Sequence, residues 1–210
     1  MTLKERYAGV IGWFEANMPV AESELQYKDP YQLLVAVILS AQCTDKRVNM
    51  TTPALFEAYP TPEAMAQATA EEIYAYIKSI SYPNNKARNL AAMARMLCTE
   101  FGGVVPSDLD ALQRLPGVGR KTANVVLSVG FGHQRIAVAT HVFRVSNRIG
   151  LVDEKDVLST EKALMKVIPE DQWTVNHHRL IWHGRTLCTA RKPQCGECPL
   201  LGICLQKMGK

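Results

Sequence analysis

The chain has 210 residues, of which 47% are hydrophobic and 21% are charged, and its formal net charge is +4 at pH 7. This apolar fraction is ample for a packed core in one large or two small domains, and it excludes a disordered chain. No stretch has the roughly 20 apolar residues that a membrane span needs. The N-terminal pattern is amphipathic, carries acidic residues and lacks the apolar centre of a signal peptide, so we expect a cytoplasmic protein. The modest net charge favours a local basic face over a polybasic tail.

Apolar residues recur at helical spacing along almost the whole chain. The segment Asp29–Pro30 begins a strongly apolar helix, and Thr69 with Glu72 predicts a capping box ahead of another. No run of alternating residues predicts a strand, so the predicted fold class is all-α. One face of the first helix is formed by Tyr7, Val10, Ile11 and Phe14. Further helices are predicted over residues 84–101, stopped by a Gly-Gly pair, and over 109–115, 155–168 and 173–187.

Between two helical patterns lies the string LPGVGRKTA, residues 115–123. Pro116 ends the first helix, while Gly117 and Gly119 permit backbone angles that other residues avoid. The second helix opens with Arg120 and Lys121, where unpaired N–H groups and positive charge suit a phosphate. The string therefore predicts a phosphate-binding turn, and a plain turn between two helices is the alternative. It resembles the helix-hairpin-helix motif of the DNA-repair glycosylases, which grips the duplex backbone without reading sequence.

Four cysteines lie close together near the C-terminus, with the spacing C-x6-C-x2-C-x5-C. Because the chain reads as intracellular, such a cluster favours a metal centre over disulfides, which are the alternative. A structural zinc site usually has two closely spaced pairs, whereas four unevenly spaced thiolates can enclose a cubane cluster. The spacing resembles the [4Fe–4S] signature of the endonuclease III family. That resemblance implies the ligands Cys188, Cys195, Cys198 and Cys204.

The resemblance to the endonuclease III family covers nearly the whole chain, since LSAQCTDKRVN (39–49) and THVFRVSNR (140–148) also match. It implies a central helical barrel domain over 22–132 that carries the hairpin. A second helical domain, made of 1–21 and 133–210, would carry the iron–sulfur loop. The implied partner is double-stranded DNA with a damaged pyrimidine or an abasic site, bound by a monomer at the bacterial nucleoid.

The same resemblance implies a bifunctional base-excision-repair enzyme, a DNA glycosylase and abasic-site lyase for oxidised pyrimidines. Lys121 occupies the family's nucleophile position, where its amine attacks the sugar C1′ and leaves a Schiff base that β-elimination resolves. The helix dipole and the nearby Arg120 disfavour the ammonium form of this lysine. Lys121 could instead contact phosphate only.

Several other segments are predicted to contact DNA. A base that leaves the stack needs its place filled, and the resemblance implies Gln42 and Tyr82 for this task, although Tyr82 could equally pack on its own domain. Arg191 and Lys192, which lie between the first two cysteines of the tail, could contact a DNA phosphate or could simply be solvent-exposed surface residues. The full set of implied DNA-binding residues is Gln42, Tyr82, Leu115, Gly117, Val118, Gly119, Arg120, Thr122, Arg191 and Lys192.

One position departs from the family pattern. Where the family has Val-Asp-Thr-His, residues 138–141 read VATH, which puts Ala139 at the place of the catalytic aspartate. Losing a positioned acid–base group costs about 10² to 10⁴ in rate, so we expect strongly reduced activity. An engineered Asp→Ala change explains this best, and a natural inactive DNA-binding paralogue is the alternative. Asp45 could supply another carboxylate, but its position predicts a helix cap.

Two hypotheses from other classes stay open at this point. One is a DNA-binding module without catalysis that uses the hairpin alone. The other is a redox sensor in which the cluster regulates DNA binding.

Overall fold

The computed structural model describes residues 1–206, and within that range it contains eleven α-helices, two short 3₁₀ helices and no strand. The all-α prediction is confirmed. The chain divides into two compact units, one made of residues 24–133 and the other of 1–23 together with 134–210. No helix within residues 1–206 is both long and apolar enough to cross a membrane.

The unit of residues 24–133 contains seven helices, which are α2 (Pro30–Ser40), α3 (Asp45–Ala58), α4 (Pro62–Ala66), α5 (Ala70–Ile77), α6 (Pro83–Glu100), α7 (Leu109–Arg114) and α8 (Arg120–Phe131). The unit is built around α2, because nine of the eleven residues of this helix are buried. Helix α2 packs against α3, α6 and α8, and α6 also packs against α4 and α5. The capping box of Thr69 and Glu72 begins α5 as predicted.

The unit of residues 1–23 and 134–210 packs its own core between four helices and the cysteine-bearing tail. Residues Val10 and Phe14 lie in this core together with Val142 and Leu180, which confirms the predicted face of the first helix. The helices are α1 (Leu3–Asn17), α9 (Thr140–Ile149), α10 (Val157–Val167) and α11 (Trp173–Thr186), with 3₁₀ turns at Glu170–Gln172 and Cys195–Glu197. Helix α11 packs against both α1 and α9.

Most helices begin at a side-chain cap, and the exceptions matter for the site. Seven of the eleven α-helices start from a Thr or Asp whose side chain accepts a backbone N–H. The prediction that Asp45 caps its helix is wrong, because Thr44 caps α3 and Asp45 is already its first helical residue. Four helices lack a side-chain cap: α6, α8, α9 and α11 start after Tyr82, Gly119, Ala139 and Gln172.

Candidate nucleic-acid interface and iron–sulfur centre

The hairpin between α7 and α8 is held from inside by two apolar side chains. Leu115 is 2% exposed and Val118 is 6% exposed, and the Val118 N–H donates to the Leu115 carbonyl at 3.1 Å. Gly117 has φ +82°, and a Cβ there would lie 3.0 Å from the Cβ of Asn89 on α6. Only glycine meets both demands without strain, so the turn is fixed against α6.

The N-terminus of α8 combines the lack of a side-chain cap with positive charge. Gly119, its N-cap residue, provides no side chain to satisfy the N–H groups of the first turn, and that turn contains no acidic residue. Arg120 is exposed, Lys121 is half-buried and Thr122 is buried. This end of the helix therefore combines the positive end of the dipole with two cationic side chains, which together suit an anion.

Gln42 and Tyr82 share an uncommon backbone conformation. Their φ angles are +54° and +56°, and within residues 1–206 Gln206 is the one other non-glycine residue with a positive φ. Both side chains are exposed, and that of Tyr82 is 62% exposed, so it does not pack inside its own unit. Left-handed conformations of bulky residues cost free energy and concentrate at functional sites.

Ala139 is the N-cap residue of α9. Its carbonyl accepts the Phe143 N–H at 2.9 Å, but its methyl group cannot accept a hydrogen bond from the first turn. Burial lowers the pKa of the nearby His141, and the charges of Arg144 and Arg185 lower it further, so this imidazole is neutral at pH 7. The start of α9 thus has neither a side-chain cap nor an acidic side chain in its first turn.

The four tail cysteines line one cavity. All are half-buried and none forms a disulfide, which is at odds with the alternative of a disulfide-bonded tail. Burial raises the pKa of the Cys198 and Cys204 thiols, with neighbouring cysteines adding to the effect. Thiolates that line one cavity repel one another, so a positively charged metal core would stabilise their ionised form. Four soft donors around one cavity fit an iron–sulfur cluster.

Polar groups around the cavity approach three of the four sulfurs. The Arg148 guanidinium lies 3.8 Å from the Cys188 Sγ, and the His183 Nε2 lies 3.7 Å from the Cys198 Sγ. Burial lowers the pKa of His183 to about 4, so the ring is neutral at pH 7. The Gln206 N–H donates to the Cys204 Sγ at 3.3 Å. Such contacts orient ligands and tune the metal they hold.

Arg148 also fixes the loop between the first two cysteines. Its guanidinium donates to the carbonyls of Thr189 at 2.7 Å and Ala190 at 2.9 Å. The Thr189 hydroxyl in turn donates to the carbonyl of Lys192 at 2.7 Å. Arg191 and Lys192 are both exposed at the tip of this anchored loop, where a DNA phosphate could approach them.

Sequence reasoning missed several residues that organise these sites. Arg148 and His183 contact the cysteines, and Lys86 is a buried lysine in the unit that carries the hairpin. The position of Arg148 in the matched string THVFRVSNR was a usable signal. His183 and Lys86 carried none, because their burial depends on packing between helices that are distant in sequence.

Comparisons with known proteins place this geometry in a family. Residues 35–170 match the model of the HhH-GPD superfamily of base excision DNA repair proteins, and residues 188–204 match the iron-sulfur binding domain of endonuclease III. The endonuclease III of Bacillus subtilis is 52% identical over 187 residues, which cover 89% of this chain and 85% of the relative. The [4Fe–4S] cluster predicted from the cysteine spacing is thereby confirmed as the cofactor.

Two solved structures have the same fold at 47% identity. One is a trapped endonuclease III–DNA covalent intermediate with an estranged adenine, and the other is a non-covalent endonuclease III–DNA complex. Each gives a TM-score of 0.94 and covers 98% of this chain and 97% of the other. The chain therefore belongs to the endonuclease III family of helix-hairpin-helix base excision repair glycosylases.

Proposed function

We propose that this chain is built as a bifunctional DNA glycosylase and abasic-site lyase for oxidised pyrimidines, and that Ala139 impairs it. The observation that carries the proposal is the uncapped N-terminus of α8, which follows a rigid hairpin and presents Lys121 in its first turn. The first turn of α8 can thus both bind the sugar-phosphate backbone and supply an amine.

Lys121 is the proposed nucleophile. Its neutral amine attacks C1′ of the damaged nucleotide, the bond from C1′ to the base breaks, and the base leaves with the electron pair and takes up a proton. The attacking nitrogen then loses a proton and the bond from C1′ to O4′ breaks, with O4′ taking up a proton, which opens the sugar and leaves the Schiff base. The Schiff base makes the C2′ proton acidic, and its loss expels the 3′ phosphate by β-elimination. The helix dipole at this position disfavours the ammonium form and so favours the reactive amine.

The proposed DNA contacts form two groups: residues that bind the DNA backbone, and residues that fill the space left by the extruded nucleotide. Within the hairpin, Leu115 and Val118 support the turn from inside, while Gly117, Gly119 and the first turn of α8 from Arg120 to Thr122 hold phosphate without reading bases. Arg191 and Lys192 add two cations on the anchored cysteine loop. Gln42 and Tyr82 occupy the space of the extruded nucleotide, and their exposure and left-handed backbone support that role.

Cys188, Cys195, Cys198 and Cys204 are the proposed ligands of the [4Fe–4S] cluster. When bound, the cluster supplies iron–thiolate bonds that hold the tail together. Arg148, through its contacts with Cys188, Thr189 and Ala190, links that tail to α9. The chain's own residues thus give the cluster a structural task, namely keeping the basic loop in place.

Ala139 removes the carboxylate that would stabilise positive charge on the sugar and help move protons during base loss. We propose an engineered Asp→Ala change in an otherwise complete enzyme, which would hold DNA without excising the base. A natural paralogue that binds DNA without cleaving it is the second candidate, and the same alanine favours it.

The remaining parts of the proposal concern organisation. We assign residues 22–132 to the barrel domain with the hairpin, and 1–21 with 133–210 to the iron–sulfur domain. The partner is duplex DNA with a damaged pyrimidine or an abasic site. The Bacillus subtilis relative named above is bacterial, and we propose that the chain acts as a monomer on nucleoid DNA.

Base excision by the Ala139→Asp variant tests this function. We expect it to release thymine glycol from a duplex at least a hundredfold faster than the chain with alanine, while both bind an uncleavable abasic analogue with similar affinity. If both chains excise oxidised pyrimidines equally and negligibly across a panel of lesions, the proposed glycosylase activity is contradicted. That result would favour a natural paralogue that binds DNA without cleaving it.

A further inference from the structure

Lys86 is a buried lysine that bonds to two carbonyls of another helix. It is 6% exposed and lies in the first turns of α6, and its Nζ donates to the carbonyls of Leu39 at 2.8 Å and Ala41 at 2.6 Å. These carbonyls belong to the C-terminal end of α2, whose last turn has no basic residue of its own. Lys86 therefore supplies the positive charge that a helix C-terminus favours.

The same residue also bonds to the start of its own helix. The Lys86 backbone N–H donates to the Tyr82 carbonyl at 3.2 Å. Ala41 directly precedes Gln42, so Lys86 touches the backbone at both places where a bulky residue of this unit has a positive φ. The bond to Tyr82 is the ordinary backbone bond of a helix's first turn, so it is the Lys86 side chain that connects two segments about 40 residues apart in sequence.

This arrangement is costly for an ammonium group. Burial lowers the pKa of Lys86, and the nearby Cys43 only partly opposes this. The two hydrogen-bond acceptors are neutral carbonyls, which compensate a buried charge less well than a carboxylate does. An uncharged side chain would fill the same volume at lower cost, so a purely space-filling role does not account for the residue.

We propose that Lys86 is a positioning residue that holds segments 41–43 and 81–83 in one fixed arrangement, so that Gln42 and Tyr82 enter the duplex together. The proposal rests on the gap-filling role assigned above to these two side chains. Without the ammonium, the carbonyl of Ala41 loses its donor and the left-handed turn at Gln42 can relax. The two side chains would then no longer be held where they fill the gap.

Hydrogen exchange tests the fixed arrangement without any DNA. In the Lys86→Met variant, which keeps the length of the side chain but removes its donors, we expect the hydrogen-bonded amides of Ala41, Cys43 and residue 86, whose acceptors are the carbonyls of Ile38, Ser40 and Tyr82, to exchange about tenfold faster. The Lys28→Met variant is the control, because Lys28 is an exposed lysine of the same unit. Faster exchange in only one segment, or in neither, would overturn the proposal. If the methionine variant folds poorly, Lys86→Gln, which keeps a shorter neutral donor, is measured in its place.

A duplex with a tetrahydrofuran abasic analogue beside 2-aminopurine tests the consequence for DNA. This probe cannot be cleaved, so Ala139 does not affect the result. We expect Gln42→Ala and Tyr82→Ala each to lower the fluorescence rise that reports unstacking. In the Lys86→Met background each truncation should have a smaller effect, because the fixed arrangement is already lost.

The outcomes separate the two proposals. Full, independent effects of both truncations in the Lys86→Met background would overturn the positioning role while supporting the gap-filling role. If neither truncation changes the fluorescence in the chain with Lys86, the gap-filling role fails, and with it the purpose assigned to Lys86, whatever hydrogen exchange shows.

Discussion

Replacing Ala139 with aspartate should change stability and activity by separate physical effects. Ala139 is the N-cap residue of α9, and alanine is among the poorest residues at that place because it cannot accept a first-turn N–H. Aspartate there would accept one N–H and place a negative charge at the positive end of the helix dipole. The seven capped helices of this chain all use Thr or Asp in the same way.

The size of the stability effect follows from the cap. Exchanging alanine for a capping residue contributes about 1 kcal/mol to the free energy of unfolding, within a range of roughly 0.5 to 2. In a chain of this length that corresponds to a rise in Tm of about 2–4 °C. We therefore expect the Ala139→Asp variant to melt a few degrees higher, measured by circular dichroism with the cluster intact.

Asparagine separates the cap from the catalytic carboxylate. Its side chain caps a helix about as well as aspartate does, but it cannot stabilise a developing positive charge by its own charge. The Ala139→Asn variant should therefore gain stability and remain inactive, whereas Ala139→Asp should gain both stability and base excision. The assay is release of thymine glycol under single-turnover conditions, with Tm measured on the same preparations.

Two results would refute this reasoning. If Ala139→Asn excises the base as fast as Ala139→Asp, the carboxylate is not the group that the reaction lacks. If neither variant raises Tm, the open start of α9 is not a defect in capping, and a different partner satisfies those N–H groups.

Three further predictions concern the hairpin and the cysteine loop. Gly117→Ala should lower the free energy of unfolding by about 1–3 kcal/mol because φ is positive and Asn89 is close. Gly119→Ala, with φ −87° and open space, should lower it by less, about 0.5–1 kcal/mol, because only the preference for glycine over alanine at an N-cap is lost. Urea unfolding compares the two variants. In the Arg148→Met variant, the cluster's visible absorbance should be lost faster in the presence of a chelator. An unchanged rate of loss would contradict the role of Arg148 in anchoring the cysteine loop. Arg191→Gln should lower the salt dependence of DNA binding by about one unit of slope, without altering lesion preference.

Local patterns in the sequence were enough to predict much of the fold. Apolar spacing, the Thr69–Glu72 box and the proline at Pro30 each act within a few residues, and each appears as predicted. The capping of α3 was wrongly assigned because Thr44 and Asp45 are both good caps. Choosing between them needs the backbone angles, which place Thr44 in the extended region.

The supporting residues of the sites could not be predicted in this way. Lys86 bonds to carbonyls 45 and 47 positions away, and Arg148 to carbonyls 41 and 42 positions away. Such contacts arise only once helices pack, and a lone Lys or Arg in the sequence reads as solvent-exposed. The hairpin and the cysteine spacing were visible because each is a local string.

Covalent trapping tests the central claim most directly. The Ala139→Asp variant is incubated with a duplex containing one abasic site and reduced with borohydride, and the adduct is located by peptide mass mapping. The account predicts a single adduct on Lys121, and no adduct in a chain that also carries Lys121→Gln but still binds the duplex. An adduct on another amine, or undiminished trapping without Lys121, would contradict it.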